Sequence, residues 1–258
     1  DYYLKGIDGK VLFSKDANGN QMPFAEDMRY EAIDGNSLML TVDKVLQHYL
    51  EKYLELAVSQ NKVQNRATGI IMDPNTGAIF AMATSPSYDP NQPATLFYQN
   101  DIDYLKTLSD TQSEAITEEY IEQEEARLRE TQWKNKAVNE LYIPGSVFKM
   151  FTASAALEEE VAGLNDTFYC PGYAIVSGTT IHCWSTGGHG TLTFTEAMIK
   201  SCNPSFMAIG ERLGATRFSQ YFEAFGFTEK TGIDLPGEEG SIYVSLDRMG
   251  PVELASSA

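Results

Sequence analysis

The chain has 258 residues, 43% of them hydrophobic and 21% charged, which is apolar material enough for a sizeable core. A formal charge of −17 argues against nucleic acid and against an anionic lipid surface as partners. The chain does not begin with Met and holds no long uncharged apolar run. Neither a signal peptide nor a transmembrane helix is therefore expected within it, and it reads as a piece of something longer. Cys170, Cys183 and Cys202 fit no zinc spacing and are too few for a disulfide scaffold, so no metal and no cofactor is expected.

Residues 1–40 read as loops and short strands, punctuated by Asp8-Gly9 and Asn18-Gly19-Asn20, without a core of their own. From Thr41 the pattern turns helical: Val42, Val45, Leu46, Tyr49, Leu50, Tyr53, Leu54 and Ala57 keep a helical period. Thr41 is the expected cap, and Asp43 suits the first turn. Residues 67–72 and 78–83 are two apolar runs joined by Asp73-Pro74-Asn75-Thr76-Gly77, a hairpin whose strands are expected to be covered on both faces. Residues 86–93 are loop. Residues 101–130 are strongly acidic and predict a solvated helical insertion, clearest over 118–131, with no catalytic part.

The most informative stretch follows. Pro144-Gly145 breaks the preceding structure, and Val147, Phe148, Met150, Phe151, Ala153, Ala155, Ala156 and Leu157 then predict a helix apolar nearly all round, hence buried. Ser146 and Lys149 stand three apart in its first turn and share a face. A lysine drawn toward a core finds a partner or loses its proton. A neutral lysine beside a hydroxyl is a base beside a nucleophile, and a helix N-terminus has amides that can receive an oxyanion. The S-x-x-K pattern alone is weak. Ser59-Gln60-Asn61-Lys62 matches it too, and most such matches are surface polar residues. The Pro-Gly turn and the apolar helix set Ser146 apart.

Beyond it, residues 173–176 and 179–182 flank Ser177-Gly178 as a second hairpin. Cys183-Trp184 and Gly187-Gly188-His189-Gly190 form a loop. Thr195 is expected to cap a helix over 196–200, which gives way at Ser201-Cys202-Asn203-Pro204. Asn203 before Pro204 marks a fresh helix start, running from Ser205 to Leu213 and ending at Gly214, with a shorter helix over 217–225 and a loop over 226–240. Taken alone, Asn-Pro merely begins a helix. A junction between helices is nevertheless a place where Ser201 can relay a proton and Asn203 can offer both a donor and an acceptor to a substrate backbone.

Pro-Gly-Ser146-x-x-Lys149 followed by Ser201-x-Asn203 resembles the penicilloyl-serine transferases, and most closely the class B penicillin-binding proteins, D,D-transpeptidases of bacterial cell-wall synthesis. Leu38-Met39-Leu40-Thr41-Val42-Asp43, Met72-Asp73-Pro74-Asn75-Thr76-Gly77, Ser85-Pro86-Ser87-Tyr88-Asp89-Pro90-Asn91, Asn135-Lys136-Ala137-Val138 and Gly188-His189-Gly190 add to the likeness, which covers essentially the whole chain. Cys183-Trp184 and Ser201-Cys202-Asn203 lean toward the sporulation and division branch. The resemblance implies an α+β fold of the penicillin-binding protein transpeptidase and serine β-lactamase type, an antiparallel sheet of five strands between helical layers, incomplete at the C-terminus here: residues 67–72 and 78–83 would be its first two strands, and the other three would come after Ala258. Residues 1–40 would end a non-catalytic pedestal domain, and 41–258 would be the N-terminal part of the transpeptidase domain, with 101–130 as an insertion.

The resemblance also implies roles. Ser146 would attack the penultimate D-Ala carbonyl of a stem peptide, Lys149 would be its base, Ser201 would pass the proton to the leaving amine, and Asn203 would hold the substrate backbone. β-Lactams, which mimic D-Ala-D-Ala, would acylate the same serine. Trp184 would border the cleft and contact substrate, although a tryptophan serving the scaffold alone fits the sequence equally. A glycosyltransferase and division or elongation proteins would be partners. The protein would be extracytoplasmic, anchored to the bacterial membrane by a segment outside this chain. The family's third motif, Lys-Thr/Ser-Gly on an edge strand, is expected beyond Ala258. Lys230-Thr231-Gly232 is too near Asn203 and is followed by a loop pattern, so it is not taken for that motif. A class D-type β-lactamase or a β-lactam sensor shares the first motif but lacks the pedestal that residues 1–40 resemble. An inactive scaffold fragment is the reading outside enzymology. An extracytoplasmic setting permits disulfides, so Cys183 and Cys202 are candidate redox cysteines tying the Trp184 loop to the Ser-x-Asn junction. A Cys170–Cys183 pair and free buried thiols are the alternatives.

Overall fold

The computed structural model describes residues 4–12, 28–63, 66–111 and 116–258. The expected turn at Asn18-Gly19-Asn20 lies outside them. The chain divides into two compact units, Asp1–Ser87 and Tyr88–Ala258.

In the first unit, short strands β1 (Lys10–Leu12) and β2 (Met28–Tyr30) pair antiparallel, and an Ile7–Ile33 bridge extends the ribbon. Helix α1 (Lys44–Asn61) begins two residues later than the Thr41 cap predicts. Asp43 is the cap, its carboxylate accepting from the amides of Val45 at 2.8 Å and Leu46 at 2.9 Å. Thr41 instead donates its hydroxyl to the carbonyl of Ile79. Strands β3 (Ala67–Met72) and β4 (Ile79–Ser85) form the expected hairpin. The Gln47 amide joins α1 to it, donating to the Met82 carbonyl and accepting from the Met82 amide, each at 2.9 Å. The expectation that both strands are covered on each face fails for β3. Thr68, Ile70 and Met72 alternate outward and exposed, because α1 covers only the other face.

The second unit opens with the acidic segment. Helices α2 (Gln99–Asp110) and α3 (Glu118–Trp133) pack on each other, and Glu124 is shared between the Tyr104 hydroxyl and the Arg127 guanidinium. A short helix α4 (Lys136–Asn139) leads to the Pro-Gly turn. The predicted helix at Ser146 starts as a tight 3₁₀ turn over Gly145–Phe148 and becomes α5 (Lys149–Glu158). It is not buried all round. Phe151, Thr152, Ala153, Ala155 and Ala156 face the core, but Val147, Met150 and Leu157 are exposed.

Four strands follow, in two antiparallel pairs. β5 (Thr167–Cys170) pairs with β8 (Gly190–Thr193), and between them lies the predicted hairpin of β6 (Tyr173–Val176) and β7 (Thr179–His182). Helix α6 (Phe194–Ile199) is capped by Thr193, not Thr195. The Thr193 hydroxyl accepts from the Glu196 amide while Glu196 reaches back to the Thr193 amide, a reciprocal box. Helix α7 (Asn203–Ala224) has Cys202, not Asn203, at its cap position, with Pro204 in the first turn. At Gly214, where the sequence predicts the helix to end, the backbone leaves helical geometry (φ 78°, ψ 155°) and then resumes a second helical stretch. The segment closes with α8 (Pro251–Ser257).

Two apolar clusters hold this unit. One gathers Ala156, Phe168, Leu192, Phe194, Phe206 and Ile209 between α5, α7 and the β5–β8 pair. The other sets Phe151 edge-on against Phe218, Phe222, Phe225 and Phe227. Among the described residues every sheet has two strands, and β3 with β4 is the early pair that the sequence predicts.

Candidate active site

Ser146 sits in the 3₁₀ turn and Lys149 is the first residue of α5. Side chains three apart eclipse in 3₁₀ geometry, so the two align along one edge. Ser146 is exposed, whereas Lys149 is buried, its stem under the helix packing and its ammonium 5.8 Å from the centre of the Phe206 ring. The α6–α7 junction supplies the other wall. Ser201 there adopts a left-handed backbone (φ 47°), uncommon for a residue with a side chain, and this turns its carbonyl and hydroxyl toward α5.

The Lys149 amine lies 3.1 Å from Ser146 Oγ, 3.1 Å from Ser201 Oγ, 3.2 Å from the Ser201 carbonyl and 2.6 Å from Asn203 Oδ1. An ammonium has only three N–H groups for these four neighbours. None of the four is charged. Burial therefore pushes the lysine below its ordinary pKa, against the opposing pull of the Cys183 and Cys202 thiols. A hydroxyl at 3.1 Å from an amine made less basic by burial is a nucleophile with its base already in reach. Asn203 is held from the far side, its Nδ2 donating to the His182 carbonyl at the end of β7 at 3.1 Å. All four residues singled out by the two motifs thus meet around one amine. Ser59, the competing match, lies near the end of α1 and donates its hydroxyl to the Leu56 carbonyl of its own helix.

Trp184 is exposed on the neighbouring loop, its indole N–H donating to the Lys200 carbonyl at 2.8 Å and its ring edge-on to His189. Lys230-Thr231-Gly232 is an exposed loop that spends its donors on Glu238: Lys230 on the carbonyl, Thr231 and Gly232 on the carboxylate. That binding holds Glu238 below the usual carboxylate range, chiefly through the Thr231 hydroxyl.

Linear reading weighed the cysteines only in pairs and missed that all three meet at a histidine. Cys170, Cys183 and Cys202 are all buried free thiols, so neither candidate pair is bonded. Their sulfurs and one His189 ring nitrogen lie within 4.8 Å of one another. The four come from the end of β5, the residue after β7, the residue before β8 and the cap of α7. No spacing rule could have joined them. Burial pushes the Cys202 thiol up to about 11. Burial acts on Cys170 in the same sense, but the amides of Gly172 and His189 and the Cys202 and Cys183 thiols point at its sulfur and hold it below the ordinary thiol range.

A serine set against a buried amine, with a second serine and a carboxamide closing the ring, is the equipment of a serine acyl-transfer enzyme. The chain belongs to the family described as penicillin binding protein transpeptidase domain, whose model matches residues 67–253. It is 36% identical over 256 residues to stage V sporulation protein D of Bacillus subtilis, covering 99% of this chain and 35% of that protein. It is 30% identical to peptidoglycan D,D-transpeptidase MrdA of Escherichia coli, covering 79% of this chain and 28% of that one. Among solved structures, penicillin binding protein 2X of Streptococcus thermophilus superposes with a TM-score of 0.72 at 25% identity, over 99% of this chain and 33% of that one. The fold is therefore the α+β transpeptidase fold that the motifs imply. The chain spans about a third of the length of the curated relatives it matches.

Proposed function

We propose that the chain carries the acylating half of a peptidoglycan D,D-transpeptidase site. The observation that carries this reading is the Lys149 amine, buried without a charged partner among its hydrogen bonds and 3.1 Å from the Ser146 hydroxyl. Ser146 Oγ attacks the penultimate D-Ala carbonyl of a stem peptide as its proton passes to neutral Lys149. The tetrahedral intermediate collapses, Ser201 relays the proton to the leaving amine, and terminal D-Ala departs. An amine of a neighbouring stem peptide then attacks the ester, forming the cross-link and returning the proton to the serine. A β-lactam opens its ring on the same hydroxyl and stays as an ester. Asn203 holds the substrate backbone by the carboxamide that already bridges Lys149 and His182, and Trp184 borders the cleft.

Residues 1–40 belong in this reading to the end of a pedestal, and 41–258 to the start of the catalytic domain. No helix of the described residues is long and apolar enough to cross a membrane. An extracytoplasmic, membrane-anchored setting and work alongside a glycosyltransferase and division or elongation proteins follow from the reading, of which the name of one relative, a peptidoglycan D,D-transpeptidase, supports the cell-wall part. Labelling of the intact protein with a fluorescent penicillin tests it. Ser146→Ala abolishes covalent labelling and Ser59→Ala leaves it intact; labelling that survives Ser146→Ala removes the assignment.

A further inference from the structure

Helices α2 and α3 pack on each other more than on any other helix or strand, and no residue of the acylating site lies on them. A helical insertion that served solubility alone would be polar all round. This one is not. Between α2, α3 and the loop at residues 94–96 lies an open cleft of about 690 Å³. Ile102 and Leu105 of α2, Ile121 of α3 and Leu96 of the loop line it, each half-buried. The cleft is held in shape from both ends. Buried Gln132 accepts from the Phe97 amide at 3.3 Å and donates to the Thr95 carbonyl at 2.7 Å. The Trp133 indole N–H donates to the Pro93 carbonyl at 2.8 Å, so the loop wall is fixed to the end of α3. Farther along, the Tyr104 hydroxyl donates to Glu124, which ties the two helices together.

The charge around this cleft is one-sided. Residues 101–130 carry ten Asp or Glu against three Lys or Arg. All three cations are spent within the segment: Lys106 on Asp103, Arg127 on Glu124 and Arg129 on Glu125. Asp110, Glu118 and Glu122 are exposed and form no ion pair among the described residues. Asp110 lines the cleft on α2. Glu118 stands three residues before Ile121 and Glu122 four after Glu118, so both share the face of α3 that carries Ile121. An apolar floor between two helices with carboxylates on its rim is the complement of a helix whose apolar ridge is flanked by Lys or Arg. The same rim repels an anionic lipid surface and nucleic acid. A second copy of this chain, at −17, would set like charge against like.

We propose that the α2–α3 cleft docks one basic amphipathic helix of a partner protein. Its apolar ridge seats on Ile102, Leu105 and Ile121, and its Lys or Arg side chains face Asp110, Glu118 and Glu122. The two helices lend no group to the acylation. They are a handle by which another protein holds the unit that carries Ser146 and Lys149.

The intact protein is titrated into a fluorescein-labelled peptide of about 18 leucines and lysines patterned as one amphipathic helix, and anisotropy is read. Saturable one-to-one binding is expected at about 0.15 M salt. A scrambled peptide of the same composition should bind at least about tenfold more weakly, since it has no apolar ridge. The triple variant Asp110→Asn, Glu118→Gln, Glu122→Gln leaves the packing intact. It should weaken binding about tenfold and flatten its dependence on salt. Leu105→Ala with Ile121→Ala should weaken binding at least about fivefold while the salt dependence stays. The charge variant decides the matter even if the apolar one folds poorly. In the native cells, a photo-crosslinker placed at Ser109 on the cleft wall should capture a segment of another protein that, once sequenced, is a Lys- or Arg-rich amphipathic helix. Absence of peptide binding, equal binding of the scrambled peptide, or binding indifferent to both variants overturns the proposal. So does a crosslink to this protein's own chain, to lipid or to a small molecule, or no crosslink at all. Penicillin labelling should be unchanged in every variant, so the docking site and the acylation reading fail separately.

Discussion

Lys149 is one amine placed among four uncharged acceptors, and its chemistry follows from which proton it lacks. Burial lowers its pKa, so the neutral form that can accept the Ser146 proton appears at a lower pH than for a free lysine. The rate of β-lactam acylation is therefore expected to rise with pH through a single ionisation below the ordinary lysine value, and to be lost as pH falls beneath it. Folding stability moves the same way: the unfolded chain binds the proton more tightly than the folded one, so stability rises with pH between the two pKa values. Lys149→Arg should abolish acylation at every pH, since a guanidinium keeps its proton. A normal pH–rate profile in that variant would take Lys149 out of the mechanism. Ser201 gives a second residue-scale test, because it combines a hydroxyl on the amine with a left-handed backbone. Ser201→Gly removes the hydroxyl and relieves the backbone. Acylation should fall by about a hundredfold or more, while denaturant unfolding should show unchanged or slightly raised stability.

At the scale of elements, the site rests on two helix beginnings, one at Ser146 and one at Ser201-Cys202-Asn203. Both were visible in the sequence through Pro144-Gly145 and Asn203-Pro204, because proline and glycine act on the backbone where they stand. Cap positions were less legible. Thr41 and Thr195 have the right side chains, yet Asp43 and Thr193 do the capping: Thr41 is taken by the Ile79 carbonyl, and Thr193 has Glu196 three residues on to complete the box. The exposed residues of the Ser146 helix were misjudged for a similar reason, since an apolar residue does not announce which neighbour covers it. The meeting of all three cysteines with His189 was out of reach, because these side chains adjoin through the pairing of β5 with β8 and of β6 with β7. The bend in α7 was foreseen from Gly214 and carries its own test. Its φ of 78° and ψ of 155° fall in a region that only glycine occupies readily, so Gly214→Ala should destabilise the protein by about 1–3 kcal/mol in denaturant unfolding. An unchanged midpoint would mean that the bend is not fixed by the backbone at that residue.

Over the whole molecule, completeness of the core and completeness of the site pose one question. The second unit buries aromatic and aliphatic clusters of its own, but large apolar side chains remain uncovered beside the nucleophile. Tyr142 is 80% and Ile143 92% exposed, with Val147 and Met150 more than half exposed. In the first unit the β3–β4 hairpin pairs with no third strand among the described residues, and Ile70 and Met72 lie on the face that α1 leaves open. Two-stranded ribbons are marginal by themselves, and uncovered strand edges and apolar patches invite association. The curated relatives are about three times as long as this chain. Lys230-Thr231-Gly232, the one sequence here that spells their third motif, is turned onto Glu238. A polypeptide of these 258 residues alone should therefore associate, running ahead of its monomer position in size-exclusion chromatography, and should fail to label with fluorescent penicillin. In the intact protein, Lys230→Ala should leave labelling unchanged, because the acylating amine is Lys149 and the Lys230 loop serves Glu238. If the isolated polypeptide is monomeric and labels at a normal rate, the third motif is dispensable for acylation. If it labels and Lys230→Ala then abolishes the label, the loop itself is the third motif and rearranges onto the site when substrate arrives.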